Sequence, residues 1–98
     1  MHARIGRVSF SPDKADDAVS TVKETVVPRL EETDGFKGFT LLVDRSGGKG
    51  LGISFWESED ALNASVQVSD RARSGVAEAT EGEDEGYSHY EVAIDTMA

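Results

Sequence analysis

The sequence predicts an α+β fold in which two helices cover one face of a four-stranded antiparallel sheet. Three observations carry this. Apolar residues recur every three or four positions in two stretches, and roughly every second position in four others. Glycine, proline and serine clusters separate the stretches. Their order along the chain is β-α-β-β-α-β, the split βαβ or ferredoxin-like arrangement. At 98 residues there is material for one core, so residues 1–98 are expected to form a single domain.

The first strand is expected over Ala3 to Phe10 and ends at Ser11-Pro12-Asp13. Ser11 with Pro12 behind it, or Asp13, then caps a helix by accepting its free amides. Along that helix Ala15, Ala18, Val19, Val22, Val26 and Leu30 form one apolar stripe. Pro28 offers no amide to the Glu24 carbonyl, which predicts a kink near Val27, and Gly35 supplies the stop. Phe36 to Asp44 and Gly50 to Trp56 are expected as a hairpin around the glycine-rich loop 45–49.

Ser58 caps the second helix, with Glu59 and Asp60 in its first turn and Ala61, Leu62, Ser65, Val68 and Ala72 on its inner face. The run from Glu81 to Gly86 has the charge of a solvated loop and lacks the ligand spacing of a calcium loop. Tyr87 to Asp95 is expected as the last strand, with Tyr90, Val92 and Ile94 on one face and His89, Glu91 and Ala93 on the other.

Composition removes several functions. The chain has no cysteine, which excludes disulfides, zinc-thiolate sites and thiol nucleophiles, and no metal site is expected. Its net charge of −9 and pI near 4.5 oppose binding to nucleic acid. No run approaches the roughly 18 apolar residues of a membrane span, and no signal peptide is visible, so the expected location is cytoplasmic. Gly47 to Gly50 leads into a strand and is a hairpin loop rather than a phosphate cradle.

The sheet has a feature that a half-wet sheet would lack. Phe39, Leu41 and Val43, then Leu51, Ile53 and Phe55, occupy one parity of their strands, while Leu42 and Trp56 are bulky and apolar on the other. Both faces are partly apolar, which predicts that the face without helices packs on a second copy in a homodimer.

Val27-Pro28-Arg29-Leu30 leading through Asp34-Gly35-Phe36-Lys37-Gly38, and Phe55-Trp56-Glu57-Ser58-Glu59-Asp60-Ala61-Leu62, resemble the antibiotic biosynthesis monooxygenase family. The resemblance implies a dimeric α/β barrel and a cofactor-independent monooxygenase acting on a small aromatic or polyketide-type substrate. It also implies a substrate pocket formed by Trp56, Ser54, Gly52, Gly6, Leu62 and Ser65. The polyketide-oxidising members carry an asparagine four residues before the tryptophan and a tyrosine six after it; this chain has Gly52 and Leu62 there. At the positions used by the haem-degrading branch it has Gly6, Ser65 and Gly75, so no histidine ligates iron there.

Two side chains stand out as catalytic candidates. Trp56 offers a flat apolar wall and one donor for stacking an aromatic ring. His89 carries an imidazole, whose unperturbed pKa suits a general base, and Glu91 lies two residues on along the same strand face. Arg4 and Arg7 sit on opposite faces of the first strand, so at most one can meet an acidic substrate in the cavity, and the family phase points to Arg4. Besides an oxygenase, the residues fit a non-catalytic small-molecule sensor, or proton chemistry with His89 as base.

Overall fold

The computed structural model describes residues 1–97. The elements are β1 (His2–Ser9), a 3-10 turn (Pro12–Lys14), α1 (Ala15–Thr21), a π-helical turn (Val22–Val26), α2 (Val27–Glu31), β2 (Phe36–Asp44), β3 (Lys49–Trp56), α3 (Glu59–Ala64), α4 (Val66–Ala79) and β4 (Glu83–Glu91). The four strands form one antiparallel sheet in the order β2-β3-β1-β4. This is the expected ferredoxin-like α+β fold. No helix among the described residues is long and apolar enough to cross a membrane.

The first helical stretch is three pieces rather than one. Pro28 has no amide to give to the Glu24 carbonyl, and the five residues preceding α2 take the wider π turn. The kink thus lies just ahead of the expected position. Ala15, Ala18, Val22, Val26 and Leu30 are all buried, so the apolar stripe survives the change of pitch. Ser11 precedes the first turn without capping it by its side chain; its hydroxyl donates to Asp13 Oδ1 at 2.8 Å. Ser58 does cap, accepting the Ala61 amide at 3.1 Å.

One expectation fails at the carboxyl end. The acidic run is not a loop throughout, because β4 begins at Glu83 and ends at Glu91, four residues short of Asp95. β4 is an edge strand, and charged side chains are tolerated there because one side of it faces water. Gly86, at φ +87°, lets the strand bulge against β1 between Gly6 and Val8. The bulge brings Asp84 and Tyr87, three residues apart, onto the same face of the sheet.

Register assigns the faces. Opposite residues of an antiparallel pair share a face, so Arg4, Gly6, His89, Tyr87, Gly52 and Ser54 point toward the helices. Ile5, Arg7, Leu51, Ile53, Phe55 and Tyr90 point away, as does Leu42 of β2. Of these Leu42, Leu51 and Tyr90 are exposed.

Gly35 closes the corner between α2 and β2 at φ +82°, with its carbonyl accepting the Glu57 amide at 2.8 Å. A Cβ there would lie 2.5 Å from the Cβ of Ala61. Gly35→Ala is therefore expected to destabilise the fold by about 2 kcal/mol or more through the combined left-handed strain and overlap. Urea denaturation measures this as a lower midpoint at unchanged slope.

Candidate functional site

Between the helices and the sheet lies an open-ended cavity of about 60 Å³. Its floor is Arg4, Gly6, Gly52 and Ser54, with Phe39 and Leu41 of β2 at one side. The valine and leucine stripe of the first helical stretch (Val22, Val26 and Leu30) and one face of α4 (Ser69, Arg73 and Val76) close the remainder. The two floor glycines make the space: a larger side chain at Gly52 would meet the Phe39 ring, from which a Cβ would be 3.1 Å, and one at Gly6 would meet Arg73.

Arg4 stands at one end and is 2% exposed. Its Nε donates to His89 Nε2 at 3.1 Å, Nη1 to Ser65 Oγ at 3.0 Å and to Ser69 Oγ, and Nη2 to the Leu62 carbonyl at 2.8 Å. These partners come from β4, the α3–α4 junction, α4 and α3, so one guanidinium ties the sheet to the second helical layer. All of them are neutral acceptors. Burial, followed by the charge of Arg73, lowers the Arg4 pKa from its usual value.

Arg73 lies beside it on α4. Its Nε donates to Asp84 Oδ1 at 3.0 Å and its Nη2 to Asp70 Oδ1. Its guanidinium carbon is 4.6 Å from the centre of the Tyr87 ring, a cation–π contact, and that of Arg4 is 5.5 Å from the same ring. The Gly86 bulge is what gives Arg73 both Asp84 and Tyr87.

The sequence-predicted residues divide. Gly6, Gly52 and Ser54 line the cavity, and Arg4 rather than Arg7 reaches it. Trp56, Leu62 and Ser65 lie outside its lining. Trp56 is 0% exposed, donates Nε1–H to Ser54 Oγ at 2.9 Å and meets the Phe36 ring edge-on at 5.6 Å. It closes the core and orients a cavity residue. Ser65 and the Leu62 carbonyl hold Arg4 from behind.

His89 faces the helices, but not as a free base paired with Glu91. Its Nε2 lone pair accepts from Arg4, which assigns the ring proton to Nδ1. Burial, then Arg4, then Arg73 lower its pKa below the usual 6.5. Sequence reasoning takes the valines and leucines of the lining as core rather than as pocket, and on α4 it misses the lining residues Ser69, Arg73 and Val76 altogether. They continue the series Leu62, Ser65 at helical spacing, and that spacing is the signal that could have found them.

Comparison with known proteins follows the same direction. The family model described as antibiotic biosynthesis monooxygenase matches residues 1–73. An uncharacterized protein of Mycobacterium tuberculosis is 37% identical over 76 residues, which cover 74% of this chain and 32% of that protein. The chain thus spans about a third of the length of the curated relatives it matches. A monooxygenase of Streptomyces coelicolor in complex with nanaomycin D superposes with a TM-score of 0.73 at 15% identity, covering 99% of this chain and 91% of that one. SnoaB, a cofactor-independent oxygenase from Streptomyces nogalater, gives 0.67 at 13% identity, covering 97% and 95%. At these identities the structural likeness is one of fold.

The Arg4–His89 bond sets a pH dependence. The folded state holds His89 neutral, whereas the unfolded chain protonates it at an ordinary pKa near 6.5. The stability that depends on the neutral ring is complete above about pH 6.5 and is lost as pH falls through the lowered folded value. Thermal unfolding between pH 7.5 and 5.5 should show the midpoint falling on acidification. His89→Gln, which keeps an acceptor without titrating, should flatten that fall.

Proposed function

The chain belongs to the antibiotic biosynthesis monooxygenase family, and from that premise we propose that it is a cofactor-independent oxygenase acting on a small electron-rich aromatic. The observation that carries this reading is the apolar cavity on glycine floor positions, closed at one end by Arg4 and Arg73. The valines and leucines suit the faces of an aromatic ring, and the guanidinium pair favours the ionised form of a hydroxyl placed beside it.

Size narrows the substrate. A cavity of 60 Å³ holds about four waters by the same measure, and ligand pockets commonly reach ~300 Å³ or more. A benzene ring needs roughly 150 Å³, so even one ring enters only as Phe39 and Leu41 of the edge strand give way or as it protrudes through the open mouth. A three-ring polyketide needs a larger opening.

The chemistry demands little of the protein. The keto tautomer of a hydroxyaromatic loses a proton from its ring CH2, and the carbanion adds dioxygen to give a hydroperoxide. The O–O bond then breaks, and the remaining hydrogen on that carbon leaves with the distal oxygen as water. The product is a quinone, one oxygen atom entering the ring and one becoming water. The field of Arg4 and Arg73 stabilises the anion that forms. With His89 Nε2 engaged by Arg4, solvent at the open mouth takes the proton.

The competing reading is a non-catalytic small-molecule sensor. Gly52 and Leu62, standing where the polyketide-oxidising members carry asparagine and tyrosine, favour it. It keeps the cavity and drops the turnover. Under either reading the open sheet face, with Leu42, Leu51 and Tyr90 exposed and Ile53 and Phe55 half-buried between them, packs on a second copy in a homodimeric barrel.

Two measurements bear on this. Oxygen uptake with a panel of hydroxybenzenes and hydroxynaphthalenes should show one dioxygen consumed per quinone formed. Gly52→Val, which fills the floor, should lower kcat/KM at least tenfold. Absence of uptake across the panel favours the sensor. Light scattering should give twice the 10.5 kDa chain mass, and Leu51→Glu should return it to a single chain.

A further inference from the structure

The two guanidinium groups at the end of the cavity are unequally satisfied. Arg4 is held by neutral acceptors alone, and no carboxylate among the described residues is within ion-pair distance of it. Arg73 is 9% exposed and spends Nε and Nη2 on Asp84 and Asp70. Its Nη1 is buried and has no partner. That nitrogen lies 3.8 Å from where a Cβ on Gly6 would be, and Gly6 is a floor residue of the cavity. A buried N–H group without an acceptor is costly, and native proteins rarely leave one unless something else fills the place.

The two carboxylates offset only part of the charge inside, the field of Asp70 reaching as far as Arg4. Asp70 and Asp84 have side chains 49% and 31% exposed, on the solvent side of Arg73, whose own side chain is 10% exposed. Water screens the acids more than it screens the guanidinium groups. His89, beside both arginines, feels a net positive environment, since Arg4 and Arg73 both act to keep it neutral.

We propose that this end of the cavity is a carboxylate subsite and that the natural ligand is a small aromatic carboxylic acid. Arg73 Nη1 donates to the acid and Arg4 supplies the second charge, while the ring lies against Val22, Val26 and Leu30. This rests on the reading of the cavity as an aromatic-substrate site and adds the acid group to it. The donors match a carboxylate rather than a phosphate. The free N–H groups are those of Arg73 Nη1 and the unused ones on the two Nη2 atoms, few and directed to one side, whereas a phosphate dianion presents three oxygens and twice the charge.

Calorimetric titration of the full chain with benzoate and with benzamide, which share shape and differ in charge, tests the subsite without any variant. Benzoate should bind at least tenfold more tightly, the margin expected of one charge-assisted hydrogen bond. Arg73→Gln should remove that margin, and Arg73→Lys should keep part of it, with circular dichroism checking that each folds. Equal affinities in the native chain, or no binding of benzoate, overturn the subsite, as does a folded Arg73→Gln with undiminished preference. Oxygen uptake reports separately. Oxidation of neutral hydroxyaromatics without any preference for acids sinks the subsite and leaves the oxygenase. Tight benzoate binding with no oxidation of hydroxybenzoates upholds the subsite and sinks the oxygenase.

Discussion

A guanidinium buried between a sheet and a helix layer must find its hydrogen bonds there, and Arg4 obliges much of the molecule to supply them. Four of its five N–H groups are taken by a β4 imidazole, two serine hydroxyls and a carbonyl at the end of α3. Withdrawing any of those partners strands part of a charge in low dielectric, which costs more than the bond itself gains. The break between α3 and α4 at Ser65 fits this demand. The turn there exposes the Leu62 carbonyl, which accepts from the Ser65 hydroxyl at 2.7 Å as well as from Arg4. Arg4 thus ties the second helical layer to β1 and, together with burial and Arg73, keeps His89 neutral.

The cavity is the complement of that constraint. Arg4 holds the end of the second helical stretch close to the sheet, while Gly6 and Gly52 leave the sheet surface bare a few ångströms away. Interiors normally fill such gaps with methyl groups, and an apolar hollow forfeits the dispersion contacts that filling would provide. Keeping glycine on two neighbouring strands directly opposite each other, in a fold that has no need of a turn there, makes sense where the space is used.

Much of the fold is legible in periodicity, because alternation along β2 and β3 and the 15-18-22-26-30 series each admit one arrangement, and Pro28 and Gly35 have local effects that context does not override. The end of the chain is less legible. Charge density in 81–86 argues for water, yet an edge strand needs only a backbone that can pair, and a glycine that can take positive φ lets it start four residues earlier. The site was half visible. Small residues at 6, 52 and 54 are recognisable as room for a ligand, but Trp56 suggests a wall only until its indole is seen satisfied by Ser54 and packed on Phe36. Arg73 was hidden because an arginine on a helix is ordinarily counted with the wet face; its burial depends on a bulge at the start of β4, in the part that charge density made look like a loop.

The π-helical turn at Val22–Val26 gives the cavity roof a dependence on counting. A π turn accommodates one more residue than an α turn, and a single residue is worth about 100° of rotation around the axis. Val22 and Val26 are the first and last residues of that turn and Leu30 follows it, and all three meet the cavity, so the turn absorbs its extra residue without rotating the helix beyond it. Removing one residue and restoring regular pitch would leave Leu30 over the hollow, because the π turn takes up the extra residue within about the same rotation; keeping the residue at α pitch would instead swing Leu30 by about 100°. Whether such a residue is absorbed as a π turn or as a change of phase decides which side chains form the ceiling of this chamber, a difference that a residue-by-residue comparison of aligned side chains registers only as a gap.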